Sequence, residues 1–265
     1  MAKVRLDTLL AQRGLFESRS RAAASVMAGE VRLGDHGKRA AKPGQLVSED
    51  QAISVDAPPA FVSRGGIKLA NALDGFGIEV QGRRCLDVGA STGGFTDALL
   101  QRGAAGVIAL DVAYGELHWS LRTDDRVSVI ERTNARAVVP GDLPYPPDLV
   151  VADVSFISLT KVLPAVIACA ARPRFDALAM VKPQFEVGRE RLGKGGVVRE
   201  PADRRAALVA VAAAAREHAG CSVLGFASSG LPGPKGNQES FVWLAEAGRE
   251  GAVQDIEAAA RSVEP

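Results

Sequence analysis

Cysteine is scarce in this chain, with three in 265 residues. Cys85, Cys169 and Cys221 show no metal-ligand spacing, and two of them lie in apolar runs. They are expected to be reduced core residues, not bridges or ligands. Histidine is equally sparse: His36, His118 and His218 are scattered, so no zinc-type cluster forms and no metal is expected. Aromatics make up only 5% of the residues, which leaves the core to Ala, Val, Leu and Ile. No uncharged apolar run reaches the roughly 18 residues of a membrane span. The start of the chain, Met-Ala-Lys-Val-Arg-Leu-Asp, has no apolar signal core, so a cytoplasmic protein is expected. The net charge is only +1, but residues 1–68 hold eleven Lys/Arg against seven Asp/Glu. That basic excess at one end suits an anionic partner, or simply a solvated surface.

What is present begins with Cys85-Leu86-Asp87-Val88-Gly89-Ala90-Ser91-Thr92-Gly93-Gly94-Phe95. A short apolar strand enters a glycine-rich turn, and an amphipathic segment follows. Strand, tight turn and helix start, in that order, make a cofactor cradle: glycine lets the backbone approach the ligand, and free N–H groups point at it. Asp111 closes the next apolar strand, 22 residues after Gly89, where a Rossmann-like domain places a carboxylate on a ribose. The glycines read D-x-G-x-x-x-G-G and not the G-x-G-x-x-G of dinucleotide binders. S-adenosylmethionine carries no pyrophosphate, tolerates a looser turn and accepts a nearby acid such as Asp87, so it is favoured. The alternative use of Gly93-Gly94 is tight strand–helix packing.

Two modules are expected. In residues 1–56, Leu6, Leu9 and Leu10 repeat at helical spacing up to Gly14, and Ser18 is placed to cap a second helix that ends at Gly29. Short strands follow at 31–33, near Val47 and at 53–55, with a turn at Gly34-Asp35. Residues 57–63, opening on Ala57-Pro58-Pro59-Ala60, read as a linker. Residues 64–265 alternate strands (84–88, 106–110, 127–130, 148–152, 176–181, 222–227, 240–245) with helices (65–75, 94–102, 115–122, 158–171, 201–219). This pattern gives an α/β fold with a Rossmann-like, seven-stranded, mostly parallel doubly wound sheet, behind a small α+β domain. The glycine-rich stretch 189–198 reads as a mobile loop.

In such a sheet, chemistry gathers at the carboxyl ends of the strands. Asp153 and Lys182 each follow a strand. Lys68 lies in the helix before the first strand. Glu239 precedes the last strand, and reaches the same side if that strand runs antiparallel at the sheet edge. The bland reading of each is a surface ion pair.

Residues Arg5-Leu6-Asp7, Leu9-Leu10, Gly14-Leu15, Ser18-Arg19 and Ala22, followed by Gly29, Val31 and Leu33, resemble an S4 RNA-binding domain. Residues 61–245 resemble FtsJ-type ribose 2′-O-methyltransferases. The joined order, with Ser63-Arg64-Gly65-Gly66-x-Lys68-Leu69 between, is similar to the TlyA family of ribosomal RNA methyltransferases. Glu131-Arg132-Thr133-Asn134-Ala135-Arg136, Asp153-Val154-Ser155-Phe156-Ile157-Ser158-Leu159 and Val181-Lys182-Pro183-Gln184-Phe185-Glu186 agree with it.

The resemblance implies a catalytic tetrad at Lys68, Asp153, Lys182 and Glu239. It implies S-adenosylmethionine as cofactor, with Gly89, Ser91, Gly93, Gly94 and Phe95 on the methionine side, Asp87 near the turn and Asp153 near the sulfonium. Asp111 would take the ribose and Asn134 the adenine edge, where the bland reading of Asn134 is a cap. Lys182 would meet the ribose 2′-oxygen as base or as electrostatic stabiliser. RNA would be met by Arg5, Arg19, Arg21, Arg32, Lys38, Arg39, Lys42 and, secondarily, Arg64. The implied targets are cytidines of 16S and 23S rRNA in ribosomal subunits, acted on by a monomer. The segment after residue 246 and the linker depart from the family pattern and bear on target range. The rival readings are a non-catalytic ribosome-assembly factor, a haemolysin, for which no pore-forming amphipathic stretch exists, and a base or small-molecule methyltransferase.

Overall fold

The computed structural model describes residues 3–34, 37–56 and 60–264. Asp35 of the expected turn and Ala57-Pro58-Pro59 of the expected linker lie outside them. The chain divides into two compact units, residues 1–59 and 60–265.

The first unit runs β1 (Lys3–Arg5), α1 (Leu6–Gln12), α2 (Arg19–Met27), β2 (Val31–Leu33), β3 (Lys38–Arg39), β4 (Leu46–Ser48) and β5 (Ile53–Val55). Ser18 caps α2 by accepting from Arg21 N at 3.2 Å. β1 pairs antiparallel with β4, and β2 lies between β3 and β5. Leu6, Leu9, Leu10, Ala22, Val26, Val31 and Val47 bury their side chains together as this unit's own core.

The second unit runs α3 (Arg64–Phe76), β6 (Arg84–Val88), α4 (Gly94–Gln101), β7 (Gly106–Leu110), α5 (Trp119–Arg122), β8 (Val127–Ile130) and β9 (Leu149–Ala152). It continues with α6 (Leu163–Ala168), β10 (Asp176–Val181), α7 (Pro183–Glu186), α8 (Pro201–His218), β11 (Ser222–Ser228), β12 (Ser240–Ala245) and α9 (Ile256–Ala260). Its seven strands lie in the order β11-β12-β10-β9-β6-β7-β8. This is the Rossmann-like, mostly parallel α/β fold the sequence pattern calls for.

Period-two alternation feeds two cores. Leu86, Val88, Ile108, Leu110, Val150 and Val181 face α6, α8 and α9. Cys85, Val107, Leu149, Val151, Leu178 and Met180 face α3, α4 and α5. A parallel sheet covered on both faces has to be apolar on both. All three cysteines are buried and free, and burial pushes the Cys85 and Cys221 thiols up to about 12 and about 11.

Three expectations change. β12 is antiparallel, but it is not an edge strand. It lies between β10 and β11, and β11 forms the edge. The helix expected over 115–122 is reduced to Trp119–Arg122, whose start is capped by the His118 ring accepting from Ser120 N at 3.3 Å. The helix expected over 158–171 breaks into a 3-10 turn at Leu159–Lys161 and α6, since Pro164 has no N–H and suits only a first turn.

The segment after 246 packs back on this unit. Arg249 bonds Asp176 and Glu246, and Arg204 bonds the buried Glu264 at 2.8 Å.

Candidate active site

The strand registers build the site. β6 and β9 pair Val88 with Ala152, so the next residues, Gly89 and Asp153, lie side by side beyond the sheet. Gly89 has φ +83°, and a Cβ there would sit 2.5 Å from the Asp153 carbonyl oxygen. Only glycine fits, for both conformation and space. β10 and β12 pair Val181 with Ser240, which sets Lys182 beside Glu239. Antiparallel β12 therefore delivers its entry residue to the carboxyl end of the parallel strands.

Two ion pairs occupy that end. Lys68 of α3 bonds Glu239 in a pair that is almost wholly buried, the residues being 7% and 3% exposed. Lys182 pairs with Asp153 and donates to Ser155 Oγ at 2.9 Å. The four groups line one cavity of about 410 Å³ with Arg64, Gly89, Ser91, Gly94 and Phe95.

Asp87 lies beneath the turn, fully buried. Its Oδ2 accepts from Thr96 N at 2.9 Å and Thr96 Oγ1 at 2.7 Å, tying β6 to the start of α4. Burial above all pushes this carboxyl up, to about 7. Asp111 Oδ2 accepts from Ser91 N at 2.7 Å and Oδ1 from Ala113 N at 2.8 Å, so it braces the glycine turn.

Gly93 and Gly94 serve close packing. A Cβ on Gly93 would meet Leu121 and Leu117, and one on Gly94 would collide with Ser63 Oγ and the backbone of Gly66. The packing alternative weighed for this pair thus describes their contacts, although Gly94 also lines the cavity.

A second cavity, of about 490 Å³, shares Gly89, Ser91 and Asp153 with the first and continues past Asp111 to Asn134. Leu110, Val112, Val154 and Ile157 supply apolar wall. Asn134 Oδ1 accepts from Arg136 N at 3.1 Å, a turn-capping bond, while the residue still lines the cavity. A third cavity of about 340 Å³ opens beyond Lys182 and Glu239, between Phe156, Phe185, Leu192 and Pro234. The continuous cleft thus has an apolar arm with a carboxylate, a charged centre and a further apolar recess. Among the described residues no cluster of His, Cys, Asp or Glu is arranged to hold a metal.

A family pattern for FtsJ-like methyltransferase matches residues 61–246, and one for the S4 domain matches residues 4–53. The chain belongs to the FtsJ-like methyltransferase family. It is 53% identical to the 16S/23S rRNA (cytidine-2′-O)-methyltransferase TlyA of Mycobacterium tuberculosis H37Rv, over 91% of this chain and 90% of that one. It is 43% identical to YqxC of Bacillus subtilis, provisionally named an rRNA methyltransferase, over 99% of this chain and 93% of that one. A solved structure from Streptococcus thermophilus that carries a hemolysin name superposes with TM-score 0.72 at 39% identity, covering 99% of this chain and 96% of that one.

Family membership makes this chain an enzyme and S-adenosylmethionine its cofactor. The cleft fits that cofactor. Gly89 leaves bare backbone against the cavity, the long arm has apolar walls, and Asp111 and Asp153 set negative charge along a path for a cationic ligand. No helix among the described residues is long and apolar enough to cross a membrane.

In the first unit the candidate RNA residues are unequal. Arg5 and Arg19 both hold the buried Asp7, at 2.7 and 3.2 Å, and keep its carboxyl well below the usual range. Arg32 pairs with Asp56 at 2.7 Å. Arg21, Lys38, Arg39 and Lys42 are exposed. Arg64 belongs to the second unit, where it donates to Pro232 O at 2.9 Å on the cavity rim.

The end of the stretch 189–198 bonds to Asn237. Asn237, buried, accepts from Val198 N at 2.9 Å and donates to Gly196 O at 3.0 Å.

Sequence reasoning missed Ser155, Glu116, Val112 and the recess around Phe185. Val112 left a readable signal, since it is an apolar residue directly after a strand-end carboxylate and is 71% exposed. Glu116, which accepts from Ser91 Oγ at 3.2 Å, left none, because nothing in spacing alone aims it at the turn.

Proposed function

We propose that this chain transfers a methyl group to the ribose 2′-hydroxyl of cytidine in 16S and 23S rRNA within ribosomal subunits. The single observation that carries the reading is the meeting of two lysine–carboxylate pairs with the glycine turn in one cleft. A base nitrogen is already a nucleophile and seldom needs two lysines; a hydroxyl needs a partner for the charge it develops. The relative named for both rRNAs shares 53% identity over most of both chains, which supports the target range. We assign RNA capture to residues 1–56 and methyl transfer to residues 64–265, joined by the linker at 57–63, in a cytoplasmic monomer.

Bound in the long arm, S-adenosylmethionine supplies a methyl group on a sulfonium, open to in-line displacement. We place Gly89, Ser91, Gly94 and Phe95 on its methionine side, with Gly93 holding the turn, Asp111 at its ribose and Asn134 at its adenine. Asp87 acts from below, by holding Thr96 and the start of α4. Asp153 lines the first two cavities, so its carboxylate would face the bound cofactor as well as Lys182.

As an ammonium, Lys182 has three N–H donors. Ser155 takes one of them and the Asp153 carboxylate pairs with the ammonium, which leaves a donor for the 2′-oxygen. The methyl group would pass to the 2′-oxygen, with the carbon–sulfur electron pair left on sulfur. The hydroxyl proton would pass to Asp153 as the 2′-oxygen takes the methyl group, so the oxygen develops alkoxide character and no full positive charge. This assigns Lys182 to charge stabilisation. Lys68 and Glu239, buried against each other, form the fixed wall behind it.

The deciding assay combines purified protein, radiolabelled S-adenosylmethionine and unmodified small and large subunits, with the label mapped to a nucleotide. Label on a cytidine 2′-oxygen in both subunits is the expected result. The Lys182→Ala protein should transfer at least a hundredfold more slowly and bind cofactor within a few-fold of wild type. Label on a base, or wild-type turnover by that variant, overturns the reading. Cofactor binding without transfer to either subunit would favour an assembly factor.

A further inference from the structure

We propose that Glu186 is a positioning residue for methyl transfer, holding the β9 loop so that Asp153 and Ser155 meet Lys182. The proposal rests on the reading of Lys182 given above.

The loop after β9 is awkward to hold. Phe156 has φ +64°, a region that bulky side chains avoid, and is 92% exposed. Its ring packs on Phe185 at 5.2 Å between centroids. A turn in that state relaxes unless its ends are pinned. One end is pinned by the sheet, where Asp153 N donates to Val88 O at 2.9 Å. The middle is pinned by Lys182, through Asp153 and Ser155.

The far end is pinned by Glu186. Its Oε2 accepts from Ser158 Oγ at 2.6 Å and its Oε1 from Leu159 N at 2.9 Å. Ser158 Oγ in turn accepts from Thr160 N at 3.2 Å and starts the 3-10 turn. Lys182 and Glu186 bracket α7, so this four-residue helix grips the β9 loop at both ends. Glu186 lines none of the three cavities described. Its carboxyl is pushed up by burial, which the bonds from Ser158 and Leu159 oppose. A half-buried acid kept against that penalty, with both oxygens committed to one loop, points to a task for that loop.

The test uses full-length protein carrying Glu186→Ala, Glu186→Gln, Ser158→Ala, or Glu186→Ala with Ser158→Ala. Melting temperature, cofactor affinity, kcat and the KM for rRNA are read for each. Glu186→Ala should lose at least tenfold in kcat, with cofactor affinity within twofold and KM moved less than kcat. Glu186→Gln keeps an acceptor for Leu159 N and should recover most of the rate. Ser158→Ala removes one contact and leaves Glu186 in place. It should lose about threefold to tenfold, and the double variant should be no worse than Glu186→Ala alone. Wild-type kcat in Glu186→Ala overturns the proposal. So does a loss that merely follows melting temperature and cofactor binding, or multiplicative losses in the double variant. Lys182→Ala, assayed alongside, separates the two readings. If it is inert while Glu186→Ala is unimpaired, only this inference fails; if it turns over normally, the assignment of Lys182 fails.

Discussion

At the scale of single residues, burial decides what a side chain does. Asp87 stands in the motif as a cofactor acid, yet it is fully buried and committed to Thr96. Its carboxyl is raised to about 7 from an ordinary value near 4, mainly by burial. Between those values the folded chain holds a proton that the unfolded chain has lost. Asp87 therefore contributes stability that is fully present below about pH 4 and is lost as pH rises through 7. The effect is on the order of a few kcal/mol, at about 1.4 kcal/mol per pH unit. Asp87→Asn keeps an acceptor for Thr96 N and should flatten this dependence. Denaturant unfolding from pH 5 to 8 should show wild type weakening relative to the variant, and parallel curves would refute the assignment. The motif itself was legible from its spacing. Which of its residues face ligand and which brace the turn was not, because Gly93 and Gly94 answer to Leu121, Ser63 and Gly66, residues distant in sequence.

At the scale of elements, strand direction does the work. The strands of the second unit were readable from apolar runs, and the mostly parallel sheet from their alternation with helices. β12 was readable as a strand but not as an interior one, since its sequence carries no mark of which neighbours it joins. Its insertion between β10 and β11 brings Glu239 beside Lys182 and against Lys68 of α3. Removing one member of a buried pair strands the other charge. Glu239→Ala should cost about 3–5 kcal/mol of stability, whereas Lys68→Met combined with Glu239→Leu should cost markedly less. Both proteins should have lost methyl transfer. Equal destabilisation of single and double variants in chemical denaturation would show that the pair is not coupled as its geometry indicates. The shortened 115–122 and 158–171 helices teach the same lesson: apolar periodicity sets where a helix can form, and capping groups and Pro164 set where it does.

At the scale of the whole molecule, each unit has its own core, and the S4 pattern and the methyltransferase pattern fall on different units. Removal of residues 1–59 should therefore leave a cooperatively folding protein that binds S-adenosylmethionine with near wild-type affinity. It should bind subunits at least tenfold more weakly and methylate them poorly. Calorimetry and filter binding read the two halves of that statement. Normal methylation of subunits by the truncated protein would remove RNA capture from the first unit. By itself, the amino-acid sequence determined the family, the alternation of strands and helices, the glycine turn and the residue types of the tetrad. All of these are local patterns or long-separated identities that survive as text. The tertiary structure alone decided that the four charged groups form two ion pairs, that Ser155 bonds Lys182, and that Glu186 bonds Ser158 and Leu159. Hydrogen bonds form between atoms brought within about 3 Å, and only the sheet's registers and its antiparallel insertion bring these groups so close.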